Sequence, residues 1–120
     1  NLWIAAFPES AIARYVPATG KFTRFDLPVL PQGSDTPYSL NVDRPRGKVW
    51  VNGNQSDTIL AFDIASEQWQ VYPLPRQRFF TRDIEISEDD GAVYTTNSHF
   101  PTWQSEGGVP TLLRITPLAE

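Results

Sequence analysis

The chain has 120 residues, of which 40% are hydrophobic and 20% charged, and a net charge of −4; that is enough for one folded domain with an ordinary core. The mild acidity, with no stripe of Lys and Arg interleaved with aromatics, speaks against a nucleic-acid binder, and no apolar run approaches the roughly 18 residues of a membrane span. There is no Cys, which excludes disulfides and thiolate metal sites.

In chain order, Leu2–Ala6 is a short apolar run closed by Phe7-Pro8-Glu9-Ser10. Ala11–Val16 alternates loosely and ends in Pro17-Ala18-Thr19-Gly20, a turn whose glycine is free to take φ > 0. Lys21–Leu27 reads as an aromatic-rich strand, and the prolines between Pro28 and Pro37 mark a loop. Ser39–Asp43 alternates through Leu40 and Val42, Arg44-Pro45-Arg46-Gly47 turns, and Lys48–Asn52 returns. Thr58–Asp63 and Gln68–Leu74 are the next two predicted strands. Asp83–Ser87, Ala92–Thr96 and Thr111–Thr116 then restart the cycle, with nine extra residues inside Asn97–Pro110. No 3.6-residue period persists, so the expected class is all-β.

The chain copies itself. Within Gly47–Pro75, Lys48–Pro75 lies over Asn1–Pro28 without a gap at a shift of 47, which puts Trp3 on Trp50, Ile12 on Ile59, Tyr15 on Phe62 and Phe22 on Trp69. Residues 37–52 lie over 81–96 at a shift of 44, with Val49 on Val93 and Trp50 on Tyr94; Thr111–Thr116 matches Thr58–Asp63 at a shift of 53. Repeats of this size mean one supersecondary unit used repeatedly. The runs Val49-Trp50-Val51 and Ile59–Phe62 are apolar on both faces, as stacked blades demand and a sandwich does not. The prediction is therefore consecutive four-stranded antiparallel blades of one β-propeller domain, with repeats at about 1–28, 37–75 and 81–117. Trp50 and Tyr94 are expected to pack between blades.

In a propeller, the loops joining the second strand to the third, and the fourth to the next first, gather on one face around the axis. Here they are Phe7–Ser10, Pro28–Pro37, Gly53–Asp57, Arg76–Thr81 and the insert Asn97–Pro110. The insert carries the sole His, His99, together with Phe100, Trp103 and Glu106. His99 and Glu106 are candidates for a general base with an orienting acid, or for two ligands of a hard cation; hydrogen-bonding loop residues are the plainer reading. Phe100 and Trp103 are candidates to stack on a ligand ring, Trp103 alternatively to cap the blade edge. Tyr38 and Arg82 occupy equivalent repeat positions that open inner strands toward the channel. There Arg82 would bind an anion or pair with a neighbouring blade. Glu88-Asp89-Asp90-Gly91 lacks the alternating ligands of a calcium loop, and no G-x-S-x-G elbow accompanies His99.

The repeat P-x-x-L/I-x-V-D-x-x-x-G-x-V-W, followed after a polar gap by I-x-x-F/Y and a closing Y/F-x-L-P, resembles the blade of the streptogramin lyase (virginiamycin B lyase) type of β-propeller over essentially the whole chain. The resemblance implies a closed ring of more blades than these strands supply. It also implies elimination on a lactone by a His base with acidic residues and Mg²⁺, and a secreted or periplasmic location. Many blades of that type open the inner strand with Pro-His-Gly. Here the positions read Pro37-Tyr38-Ser39 and Thr81-Arg82-Asp83. Since the chain has no Met and starts at Asn1, the remaining blades are expected from the same polypeptide or from another chain. Two functions stay open: a metal-assisted lyase acting on a small cyclic or ester-bearing molecule, and a non-catalytic scaffold that binds a small ligand or a protein.

Overall fold

Short alternating runs punctuated by turn residues become ten strands in the computed structural model, which describes residues 1–98 and 109–118. The strands are β1 (Leu2–Ala6), β2 (Ala11–Val16), β3 (Lys21–Asp26), β4 (Pro37–Asp43), β5 (Lys48–Gly53), β6 (Thr58–Asp63), β7 (Gln68–Pro73), β8 (Glu85–Ile86), β9 (Val93–Thr96) and β10 (Leu112–Ile115). They form three antiparallel meanders: β1-β2-β3, β4-β5-β6-β7 and β8-β9-β10. A one-turn 3-10 helix, Phe7–Glu9, joins β1 to β2.

The turns are held by local hydrogen bonds. Between β6 and β7, the Asp63 carboxylate accepts both the N–H and the hydroxyl of Ser66 at 2.8 Å, and its carbonyl accepts the Glu67 N–H at 2.9 Å. These groups offer the backbone a turn instead of a longer strand.

The sheets stack face to face, so we call the face toward the following sheet the front and the other the back. Between the first and second sheets lie Ile12, Leu27, Val49, Val51, Leu60 and Phe62, all essentially without exposure. Trp3 and Phe25 of the first sheet meet the Phe62 ring at 5.6 and 4.6 Å between centroids. Between the second and third sheets lie Trp50, Ile59, Ala61, Ile84 and Val93. Trp50 is thus the inter-blade group its repeat position predicts, stacked on Tyr72 at 5.3 Å. Each such side chain is worth roughly 1.5–3 kcal/mol when fully buried, so the stacking between sheets holds the molecule together. This is the packing of consecutive propeller blades.

Polar clasps cross the same seams. Arg14 reaches Glu67 at 3.3 Å from the first sheet to the second. Arg46 pairs with the buried Asp43 and donates to the carbonyls of Glu88 and Asp89 in the third sheet at 3.3 Å. Gly91, at φ +72°, lies under that guanidinium, where a Cβ would be 2.5 Å from Arg46 Nε.

The inner strand of the third sheet is shorter than the Asp83–Ser87 expected. Only Glu85–Ile86 pairs with β9. Side chains bond the backbone here on both edges, the Asp83 carbonyl on the side of β9 and the Ile84 groups on the free inner edge. Asp83 Oδ1 accepts the Ile84 N–H at 2.8 Å, Thr95 Oγ1 donates to the Asp83 carbonyl at 2.7 Å, and Asn41 Nδ2 donates to the Ile84 carbonyl at 3.3 Å.

Candidate functional site

The inner strand of the second sheet enters through a kink. Its register against β5 slips between Pro37 and Leu40, as at a bulge. At that point the Ser39 N–H leaves the ladder and donates to Asn52 Oδ1 at 2.7 Å. Asn52, fully buried, uses its other end as well: Nδ2 donates to the Thr81 carbonyl at 2.7 Å. One side chain therefore ties Ser39, beside Tyr38, to Thr81, beside Arg82.

This brings together the two inner-strand residues that the repeat singles out. The Arg82 guanidinium carbon lies 5.5 Å from the Tyr38 ring centroid and 5.3 Å from that of Phe80, so it is held between two aromatic faces. Phe7 also meets Tyr38 edge to face, at 5.7 Å. Phe7 comes from the first sheet, Tyr38 from the second, and Phe80 and Arg82 from the segment entering the third. Phe7 and Tyr38 remain 43% and 47% exposed. An aromatic strip with one embedded cation thus crosses all three sheets at the loop end. The hydroxyls of Ser39 and Thr81, next to Tyr38 and Arg82 in sequence, are buried and find no hydrogen-bond partner among the described residues.

Two carboxylates brace the loops around this strip. Asp35 is completely buried; Oδ1 accepts the N–H groups of Thr36 and Gln55 at 2.8 Å, and Oδ2 accepts the Ser56 hydroxyl. Gly53 makes room for this knot, since a Cβ there would collide with the hydroxyls of Thr58 and Ser56. Asp57, at φ +54°, accepts the N–H groups of Arg78 and Phe79 at 2.9 and 2.8 Å and so fixes the segment that delivers Phe80. Both are anchors whose oxygens are spent on the protein.

The insert is tethered at both ends. Asn97 Nδ2 donates to the Val109 carbonyl at 2.8 Å and its Oδ1 accepts the Thr111 N–H at 2.9 Å. The Ser98 N–H donates to the Phe79 carbonyl at 3.3 Å, one residue from Phe80. His99, Phe100, Trp103 and Glu106 themselves lie outside the described residues. Among the described residues no group of three His, Cys, Asp or Glu side chains gathers to hold a metal ion.

Sequence reasoning named Tyr38 and Arg82 but missed Phe7, Phe80, Asn52 and Asp35. Phe7 and Phe80 stand in loops, where periodicity says nothing, and Asn52 looks like any polar residue ending a strand.

No protein-family model matches the chain, and no curated protein does. Among solved structures, a streptogramin B lyase superposes with a TM-score of 0.70 at 16% identity, covering 98% of this chain and 37% of that one. A selenomethionine-substituted virginiamycin B lyase from Staphylococcus aureus gives 0.66 at 16% identity, covering 98% of this chain and 38% of that one. The chain thus spans under two fifths of the length of the structures it matches, and at this identity the likeness is one of fold. The sheets that carry the aromatic strip are consecutive blades of a β-propeller of the kind that streptogramin B lyase adopts.

Proposed function

We propose that this chain forms part of a ligand-binding propeller that holds a small molecule at its loop end, against the strip Phe7–Tyr38–Arg82–Phe80. The observation that carries this reading is the Arg82 guanidinium set between the rings of Tyr38 and Phe80. A cation fixed between aromatic faces offers donors to an oxygen-bearing ligand while the exposed rings of Phe7 and Tyr38 offer it a flat apolar surface.

The catalytic form of this reading is a lyase step on a small cyclic or ester-bearing molecule of the streptogramin B class. His99, oriented by Glu106, removes a carbon-bound proton next to the ester C–O bond, which breaks to leave a carboxylate and a new C=C bond. The tethering of Ser98 beside Phe79 supports it, because the segment carrying both residues departs next to the strip. Mg²⁺ belongs to the same reading, with Glu106 and His99 the ligand candidates this segment supplies. The non-catalytic form is favoured by Tyr38 and Arg82 standing where Pro-His-Gly blades carry their histidine.

Calorimetric titration of virginiamycin B into the protein, with and without Mg²⁺, tests the binding. Arg82→Gln is expected to weaken it by roughly 10-fold or more, the worth of a hydrogen bond to a charged group. Mass spectrometry tests the chemistry, since elimination opens the ester to a linear product of unchanged mass whereas hydrolysis adds one water. Loss of turnover with retained binding in His99→Ala supports the lyase form. Binding that ignores both Arg82→Gln and Tyr38→Ala would sink the proposal.

A further inference from the structure

The amide that fastens the second sheet to the approach of the third belongs to an Asn-Gly pair, Asn52-Gly53. We propose that Asn52 is a site of spontaneous modification gated by the seam between these sheets. The folded chain shields it, and opening of the seam exposes it to irreversible conversion to aspartate or isoaspartate.

The chemistry is that of the chain itself and water. The Gly53 nitrogen attacks Asn52 Cγ and gives up its proton. The new N–Cγ bond closes a succinimide ring, the Cγ–Nδ2 bond breaks, and the amide nitrogen leaves as ammonia. Water then opens the ring at either carbonyl. One product is aspartate; the other is isoaspartate, in which the main chain runs through the side-chain carbon. Glycine favours the first step because no Cβ crowds its nitrogen or restricts its backbone. Of Asn1, Asn41, Asn52, Asn54 and Asn97, only Asn52 precedes a glycine.

The fold holds this reaction off. Like Trp50 on the same strand, Asn52 lies on the front of the second sheet, and it has no exposed surface through which water could reach it. Both ends of its amide are bonded at 2.7 Å, Oδ1 by the Ser39 N–H and Nδ2 to the Thr81 carbonyl. Gly53 is paired with Pro37 of β4 and Thr58 of β6, which keeps the backbone extended rather than folded back on Cγ.

Most of this shielding depends on the third sheet. Thr81 lies on the approach to β8, and the apolar seam of Trp50, Ile59, Ala61, Ile84 and Val93 fills the space between the sheets. Undocking of the third sheet frees Nδ2 and wets the side chain. What then remains is the pairing of Gly53, the last residue of β5, and strand ends are among the first places to open.

The product does not rebuild the bridge. Aspartate still accepts the Ser39 N–H, but a second oxygen takes the place of the nitrogen that met the Thr81 carbonyl. Two acceptors then face each other, and a charge is buried without a partner. Isoaspartate also lengthens the backbone of β5 and disturbs its register. Either change cuts the tie between Ser39, beside Tyr38, and Thr81, beside Arg82.

Peptide mapping by mass spectrometry at mildly alkaline pH reads the conversion directly. In urea, Asn52 is expected to convert well ahead of the other asparagines, and Gly53→Ala to slow it. In the native chain, conversion of Asn52 is expected to be slower by about 100-fold or more, as for a group that reacts only through local opening. Two trims of one methylene locate the gate. Ile84→Val loosens the seam to the third sheet and should speed native conversion about 2- to 10-fold. Ile12→Val loosens the seam between the first and second sheets, where Ile12 is equally buried, and should leave the rate unchanged. Equal rates in the native and unfolded chains overturn the inference, as does a lack of preference for Asn52 in urea. So does a native rate that Ile84→Val leaves unchanged or that both trims raise equally.

Discussion

Removing the Phe62 ring tests whether stacking between sheets supplies the stability of this molecule. Phe62 has no exposed surface and lies against Trp3, Phe25 and Trp69 at 5.6, 4.6 and 5.0 Å. Transfer of its side chain contributes roughly 2–3 kcal/mol, and each ring pair adds about 0.5–1.5 kcal/mol beyond its area. Phe62→Ala is therefore expected near the top of the 3–5 kcal/mol or so that such truncations cost. That is a large share of the roughly 5–15 kcal/mol that stabilises a whole domain. Tyr15→Ala is the control. It removes an aromatic ring from the same repeat position, where it is half-buried and flanked across the strands by Leu2 and by Phe22, whose ring lies at 4.6 Å. It should cost about 1 kcal/mol or less. Urea unfolding followed by tryptophan fluorescence reads both, because Trp3 and Trp69 flank Phe62 directly. Equal losses for the two variants, or a Phe62→Ala loss below about 1 kcal/mol, would show that the sheets are stable individually and that the stacking argument is wrong.

Two further outcomes are expected. Asn52→Leu leaves the Ser39 N–H and the Thr81 carbonyl without their 2.7 Å partners and should cost about 2–4 kcal/mol, read by denaturation, with faster hydrogen exchange at Ser39; protection unchanged at Ser39 counts against the bridge. The Asp63 carboxylate is held below its ordinary 3.8 chiefly by the Ser66 N–H and then by the Ser66 hydroxyl. Because the folded value is the lower one, its contribution is complete above pH 3.8 and disappears as pH falls through that lowered value. The stability difference between wild type and Asp63→Asn should therefore vanish under acid conditions, and a difference that persists there refutes this account.

The architecture was legible because burial in stacked sheets follows repeat position. Trp3, Trp50 and Tyr94 recur in register, and Ile12, Ile59 and Leu112 do so a strand later. The same register gave the strand count and the inter-blade role of Trp50. It also placed Tyr38 and Arg82 at equivalent sites, and the structure brings them within 5.5 Å. Periodicity fails where backbone groups are satisfied by side chains. At β8 the Asp83 carbonyl, on the side of β9, is taken by Thr95 Oγ1, and Thr95 is an ordinary polar residue in the sequence. Phe7 and Phe80 escaped for a related reason. Their positions are set by a 3-10 turn and by the Asp57 anchor, neither of which has a repeating signature.

The bridges from Asn41 and Asn52 impose a direction on assembly. The third sheet owns only a two-residue inner strand, and its approach is fastened by amides that belong to the sheet before it. The second sheet has four strands of its own. The third unit is therefore templated by a finished predecessor, and a ribosome releasing the chain from its amino end delivers them in the order that such templating requires.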